Sequence, residues 1–167
     1  MKKVIRGWIE SFFEASIIIL VLYFVFFPFK ISGASMESTL RDGDRVFASR
    51  IMTSLNMYNK GDLIIFNEYI DGKRVKVVKR VIALENDAVV IEGGELYING
   101  ELQIEGYALG ITDCSLKMVV GAGEIFVLGD NRMRSTDSRD FGAIEKENVV
   151  GRVVVKVFPL DDFCLFV

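Results

Sequence analysis

Apolar residues are distributed along this chain in two distinct patterns. Near the N-terminus, residues 15–29 form an uncharged run, and extending it back through Phe12 and Phe13 adds Glu14 as the only charge. A helix rising 1.5 Å per residue spans about 30 Å of hydrocarbon with a stretch of this kind. From Asp44 onward the apolar residues come in short β-rich runs punctuated by Gly, Asn and Asp, at 45–49, 63–66, 75–84, 88–92, 95–98, 102–105, 125–128 and 149–158. Runs of this length and composition predict strands. Asn99-Gly100 between two such runs predicts a tight type I′ hairpin. Residues 106–117 read as a loop, and no internal repeat or low-complexity segment stands out. The expected fold is mainly β, an antiparallel sheet arranged as a barrel-like or sandwich domain, with one N-terminal transmembrane helix.

Lys2, Lys3 and Arg6 precede the apolar run, which predicts a cytoplasmic N-terminus with the remainder outside. The division expected is a cytoplasmic stub and anchor over 1–30 and an extracytoplasmic β-rich domain over 31–167. Two other readings compete. Ser32-Gly33-Ala34 would suit cleavage of a signal peptide, and the run could be a buried core helix, although such a helix seldom lacks a polar face. Phe24, Phe26, Phe27 and Phe29 near the exit favour an anchored span.

Composition narrows the chemistry. The chain has 167 residues, 51% of them apolar, enough for one compact domain besides the anchor. From Ile31 onward it carries 16 basic and 21 acidic residues, a balance that repels a polyanion and argues against nucleic acid as a partner. Cys114 and Cys164 lack metal-type spacing and read equally well as free thiols or one disulfide. Histidine is absent altogether. That excludes His-assisted serine or cysteine catalysis and the common zinc sites, so any nucleophilic hydroxyl needs another base.

Three segments carry candidate chemistry. Ser35 follows Lys30 by five residues, in Ser32-Gly33-Ala34-Ser35-Met36, where small neighbours admit a substrate backbone; by itself, serine near glycine is commonly an ordinary turn. In the run 74–83, strand alternation puts Val75, Val77, Lys79, Val81 and Ala83 on one face, leaving Lys79 as its single charge. Desolvation there lowers an amine's pKa, and a drop from ~10.4 to ~8 would cost about 3 kcal/mol of folding free energy. The neutral amine could then take a proton from Ser35. The plain alternative is a lysine snorkelling from a sheet edge. The third segment, 129–142, is dense in polar groups able to make charge-assisted bonds, and could equally be a solvated turn.

Together these segments resemble the bacterial type I signal peptidases, in the right order over nearly the whole chain. Ser35-Met36 with Thr39-Leu40 is similar to the family's nucleophile box, Val78-Lys79-Arg80-Val81-Ile82 to its lysine box, and the segment 129–142 to its most specific element. The resemblance implies Ser35 as nucleophile, Lys79 as general base, Ser135 orienting Lys79, and an Asp137–Arg139 ion pair shaping the site. It also implies that Phe29, Ile31 and Met36 line shallow pockets, and that Val77 and Val78 offer a strand edge to substrate. Proline where Ser38 and Glu85 stand, glycine at Asn86, and in some members an oxyanion-donating serine at Gly33 are the family features missing here. The implied activity is removal of signal peptides from secretory preproteins after Ala-x-Ala-type sites through an acyl-enzyme. No metal or cofactor is implied, and the implied setting is the lipid bilayer of a bacterial plasma membrane. Two rivals share parts of the pattern: a Ser/Lys self-cleaving repressor-type domain, and a non-catalytic membrane-anchored β module binding exported chains.

Overall fold

A computed structural model describes residues 2–55, 57–70 and 72–166. Helix α1 (Lys2–Val25) leads into β1 (Phe26–Lys30), followed by β2 (Arg45–Ser49), the short helix α2 (Ile51–Ser54), β3 (Leu63–Ile70) and β4 (Lys73–Leu84). Next come β5 (Ala88–Glu92), β6 (Glu95–Ile98), β7 (Glu101–Leu102), β8 (Leu116–Val119) and β9 (Glu124–Leu128). The chain ends with α3 (Ser138–Phe141), β10 (Ile144–Glu145), β11 (Val149–Phe158) and β12 (Cys164–Leu165).

All the strand pairings are antiparallel. The larger sheet runs β1-β2-β11-β3-β4-β9-β10, with β12 on β11, and the smaller runs β7-β6-β5-β8. The expected antiparallel β architecture is therefore present, with the larger sheet an open path rather than a ring. Asn99 and Gly100 take φ of 54° and 83° and join β6 to β7 in a two-residue turn, the geometry of a type I′ hairpin. Part of the expected loop 106–117 is strand instead, because β8 pairs with β5.

The sheet is buried on both faces, which explains the unbroken apolar run at the start of β3. Leu63 and Ile65 join a core with Phe27, Ile31, Met36, Leu40 and Val78. Ile64 and Phe66 point the other way, into a core with Val81, Ile125 and Val127. Between the sheets, Ile82 and Ala83 pack with Ile91, Leu96 and Phe126. The alternation expected for β4 holds through Val81 and then breaks. The register skips from Val81↔Val127 to Ala83↔Phe126, and this bulge sends Ile82 and Ala83 into the same core.

The N-terminal run divides differently from the expected span. Residues 15–25 are helical, about 16 Å of axial length, whereas Phe26–Lys30 is a strand registered against β2, with Phe27 opposite Ala48. Pro28 cannot continue a helix and is tolerated on this edge strand, while the phenylalanines favour a strand and Phe27 is drawn into the core. Among the described residues no helix is long and apolar enough to cross a membrane. Trp8, Phe12, Phe13, Ile19 and Leu20 of α1 are nonetheless all more than half exposed. Both cysteines are free thiols, Cys114 half-buried and Cys164 exposed.

Candidate active site

The segment between β1 and β2 holds Ser35 on a turn pinned at both ends. Ile31 N–H donates to Asp44 O and Gly43 N–H to Ile31 O, and Gly33 N–H donates to Asp42 Oδ1 at 2.8 Å. Leu40 N–H donates to Met36 O at 2.8 Å, and the side chains of Met36 and Leu40 are buried anchors on either side of the turn. Beneath it, the buried Lys156 ammonium donates to Thr39 O and to Asp162, with Asp44 at 3.7 Å. Ser35 itself stays partly exposed, and its carbonyl accepts the Asn131 N–H at 3.0 Å.

Lys79 comes from the middle of β4, on the strand face of Val77 and Val81, and is 4% exposed. Burial lowers its pKa from 10.5 to about 8, against the opposing pull of the Asp137 carboxylate and with a smaller push from Arg139. This matches the drop expected from its place on an apolar face. Arg80 pairs with Leu128 at the end of β9, so Gly129, the next residue, stands beside Lys79. Gly129 is where the pieces of the site meet. Its N–H donates to Asp137 Oδ2 at 3.0 Å, and a Cβ there would collide with Ser135 Oγ and lie 2.6 Å from the Ser35 carbonyl oxygen. Only glycine lets the Ser35 turn and the Ser135 loop approach this closely.

The segment 129–142 is a cross-braced loop rather than a solvated turn. Arg139 grips the buried Asp137 with Nε to Oδ1 at 2.8 Å and a second nitrogen to Oδ2 at 2.9 Å, and also donates to Arg132 O and Ser135 O. Burial pushes the Asp137 carboxyl up, but the Arg139 guanidinium and the Gly129 N–H outweigh it and hold that carboxyl below the usual range. Asp137 also caps α3, reciprocally with Asp140. Ser135 Oγ is buried close enough to help hold the Asp137 carboxyl down, without reaching hydrogen-bond geometry.

Several residues that sequence reasoning missed join the segments together. Arg80 donates twice to the fully buried Asp130, at 2.8 and 2.6 Å, and also to Thr39 Oγ1 and Gly61 O, while lying 3.9 Å over the Tyr107 ring. Arg132 makes a two-pronged pair with Glu105 and bonds Thr112. Ser38, at a φ of 125°, donates its hydroxyl to Tyr107 O at 2.6 Å. A proline there would be confined to negative φ, so this turn differs from the family pattern, whereas Asn86 at φ 69° takes a backbone open to glycine and asparagine alike. The signal for Arg80 and Asp130 lay in their adjacency to Lys79 and Gly129.

Beside Ser35 lies a cavity of about 70 Å³, lined by Phe29, Ile31, Met36, Val77 and Val78 among others. All five residues named from sequence as substrate contacts therefore share one pocket with the serine, and Lys79 lies within electrostatic reach of Asp137 and Arg139. Strand β4 is paired with β3 from Lys73 to Arg80 and with β9 from Arg80 onward. Among the described residues no strand pairs with its second edge before that point, where Val77 and Val78 line this pocket.

The sequence model of the family described as "Signal peptidase, peptidase S26" matches residues 5–158. The chain belongs to this family. It is 34% identical to a protein named signal peptidase I from Bacillus licheniformis, over 96% of this chain and 92% of that one. It is 33% identical to signal peptidase IB of Staphylococcus aureus (strain COL), over 98% and 94% respectively. A crystal structure of a signal peptidase I from Enterococcus faecalis V583 aligns with a TM-score of 0.50 and 30% identity, covering 57% of this chain and 95% of that one. This S26 chain is accordingly a serine peptidase of the signal peptidase class, mainly β in fold.

Proposed function

We propose that this S26 peptidase removes N-terminal signal peptides from secretory preproteins, with Ser35 as nucleophile and Lys79 as its general base. The observation that carries this reading is a lysine buried to 4% exposure whose amine loses its proton near pH 8. A base of this kind works best with a pKa near the operating pH. Ser35 Oγ attacks the scissile carbonyl, Lys79 takes the hydroxyl proton and passes it to the leaving amine, and an ester forms on Ser35. Water, deprotonated by the same amine, then attacks the ester and regenerates the hydroxyl.

The Ser35 N–H donates to no group among the described residues. It is therefore available to the oxyanion, with Gly33 supplying no hydroxyl. Ser135, whose buried hydroxyl makes no hydrogen bond among the described residues and so is free to turn to the amine, is the group assigned to orient Lys79, and the Asp137–Arg139 pair fixes the loop that carries it. The open edge of β4 at Val77 and Val78 takes the substrate as an added strand. A 70 Å³ pocket between Phe29, Ile31 and Met36 suits side chains no larger than alanine's neighbours in size.

Exposed apolar residues such as Trp8, Phe12 and Ile19 on α1 favour contact with a bacterial plasma membrane. The basic residues Lys2, Lys3 and Arg6 favour a cytoplasmic N-terminus and an outward-facing β domain. Anchoring there brings Ser35 to cleavage sites held at the membrane surface by the substrate's own apolar segment.

The test is processing of a preprotein with an Ala-x-Ala site across pH. The mature product is expected to begin immediately after the second alanine, with kcat/KM rising about tenfold per pH unit below pH 8 and levelling above it. A rate flat from pH 6 to about 9, or cleavage elsewhere, would refute the assignment.

A further inference from the structure

Strands β3 and β4 run on past the larger sheet. β3 pairs with β11 as far as Phe66, and β4 with β9 only from Arg80, so the strands over residues 67–76 form a ribbon in which each pairs with the other alone. Alternation and register put Asn67, Tyr69, Arg74 and Lys76 on one face of this ribbon and Glu68 and Val75 on the other. Tyr69, Arg74 and Lys76 are exposed. Their face continues to the exit of α1. Lys76 Nζ and the centre of the exposed Arg50 guanidinium lie 5.9 and 4.4 Å from the centre of the Phe27 ring, and Arg50 N–H donates to the carbonyl of Val25, the last residue of α1, at 2.9 Å.

Arg50, Arg74 and Lys76 therefore gather where the exposed apolar residues of α1, such as Ile19, Leu20 and Leu22, give way to the β domain. None of the described ribbon residues on this face is acidic. The domain as a whole is acidic, with 16 basic and 21 acidic residues from Ile31 onward, so an anionic surface repels it on average and a local cluster of cations decides which side can approach. A tyrosine at a headgroup layer keeps its ring in apolar surroundings and its hydroxyl in water. We propose that Arg50, Tyr69, Arg74 and Lys76 form a docking face for anionic phospholipid headgroups, laid against the bilayer that α1 enters. The inference rests on the reading of α1 as the membrane contact and extends it to the lipid chemistry that the β domain selects. Lys76 also lines the cavity beside Ser35, so docking holds that cavity at the headgroup layer.

The experiment reconstitutes the full chain carrying Trp8→Phe and Tyr69→Trp in phosphatidylcholine vesicles, with or without phosphatidylglycerol, and reads quenching of its one indole by a lipid bearing a nitroxide on its headgroup. Strong quenching is expected with phosphatidylglycerol, weak quenching without it, and a loss at high salt as the charges are screened. Each cation near an anionic surface is worth about fivefold in docking, so adding Arg50→Gln and Arg74→Gln should lower the docking constant read from the quenched fraction by roughly 25-fold. Arg50→Lys with Arg74→Lys should restore it, which a purely structural role for the arginines would not predict. Equal quenching in both kinds of vesicle, or a phosphatidylglycerol effect that survives both glutamine substitutions, overturns the inference. Quenching indifferent to phosphatidylglycerol but relieved by soluble polyglutamate assigns the face to an acidic polypeptide and overturns it too. The natural Trp8 tests the underlying reading separately: wild type should be quenched by acyl-chain-brominated lipid whatever the headgroup charge, and an unquenched Trp8 overturns the membrane contact of α1 as well.

Discussion

Ser35→Ala is expected to lower preprotein processing by on the order of 10⁴-fold, Lys79→Met by a similar factor, and the double variant by no more than either one. The reason is that the two groups act on one proton. Without the amine the hydroxyl remains a poor nucleophile, and without the hydroxyl the amine has nothing to activate. Lys79→Arg should fail equally, because a guanidinium does not release its proton at any working pH. What remains in each variant comes from the oxyanion donor and substrate pairing along β4. Steady-state kinetics on one preprotein, with folded state checked by thermal melting, reads these factors directly. Losses that multiply in the double variant would mean that Ser35 and Lys79 act in separate steps.

The second large effect is on stability and has the opposite sign. Lys79→Met should make the protein more stable than wild type by roughly 3 kcal/mol at pH 7. In the unfolded chain this lysine keeps its proton up to 10.5, and in the folded protein only up to about 8. Below pH 8 both states are protonated, and the folded state bears the full cost of a desolvated ammonium. Between about 8 and 10.5 the unfolded chain binds the extra proton, so wild-type stability rises with pH across that window. Above it both states are neutral and the penalty is gone. Denaturant unfolding of the two proteins from pH 7 to about 10.5 should therefore show a gap that closes. A constant gap would mean that the amine is not the group paying for its burial.

That penalty is also a reason to read the site as functional. A buried amine whose desolvation outweighs the pull of nearby carboxylates is easily replaced by an apolar residue, and a binding module would have no use for it.

The burial of Lys79 was legible in the sequence because strand alternation depends only on neighbours. Val77, Lys79 and Val81 share a face for reasons that the local run already contains, and the two-residue Asn99-Gly100 turn is equally local. The bulge at Ile82 was not legible, since it arises from the register against Val127 and Phe126 on a distant strand. Nor was the end of the helical run, because an uncharged stretch does not mark where helix gives way to strand; Pro28 was the one signal, and Phe27 is held by the core. The braces Arg80–Asp130 and Arg132–Glu105 join residues far apart in sequence. Charged residues of that kind look like solvated surface until tertiary packing removes their water. The motif resemblance supplied Ser135, Asp137 and Arg139, which no periodicity could have chosen among the many polar residues of 129–142.

The most direct test of the account is the titration of Lys79 itself, followed by NMR of its labelled ε-carbon in the Ser35→Ala protein. The midpoint should fall near pH 8, apart from the other lysines. A midpoint above pH 10, with Lys79 titrating among the surface lysines, would contradict an amine held neutral by burial and with it the proposed mechanism.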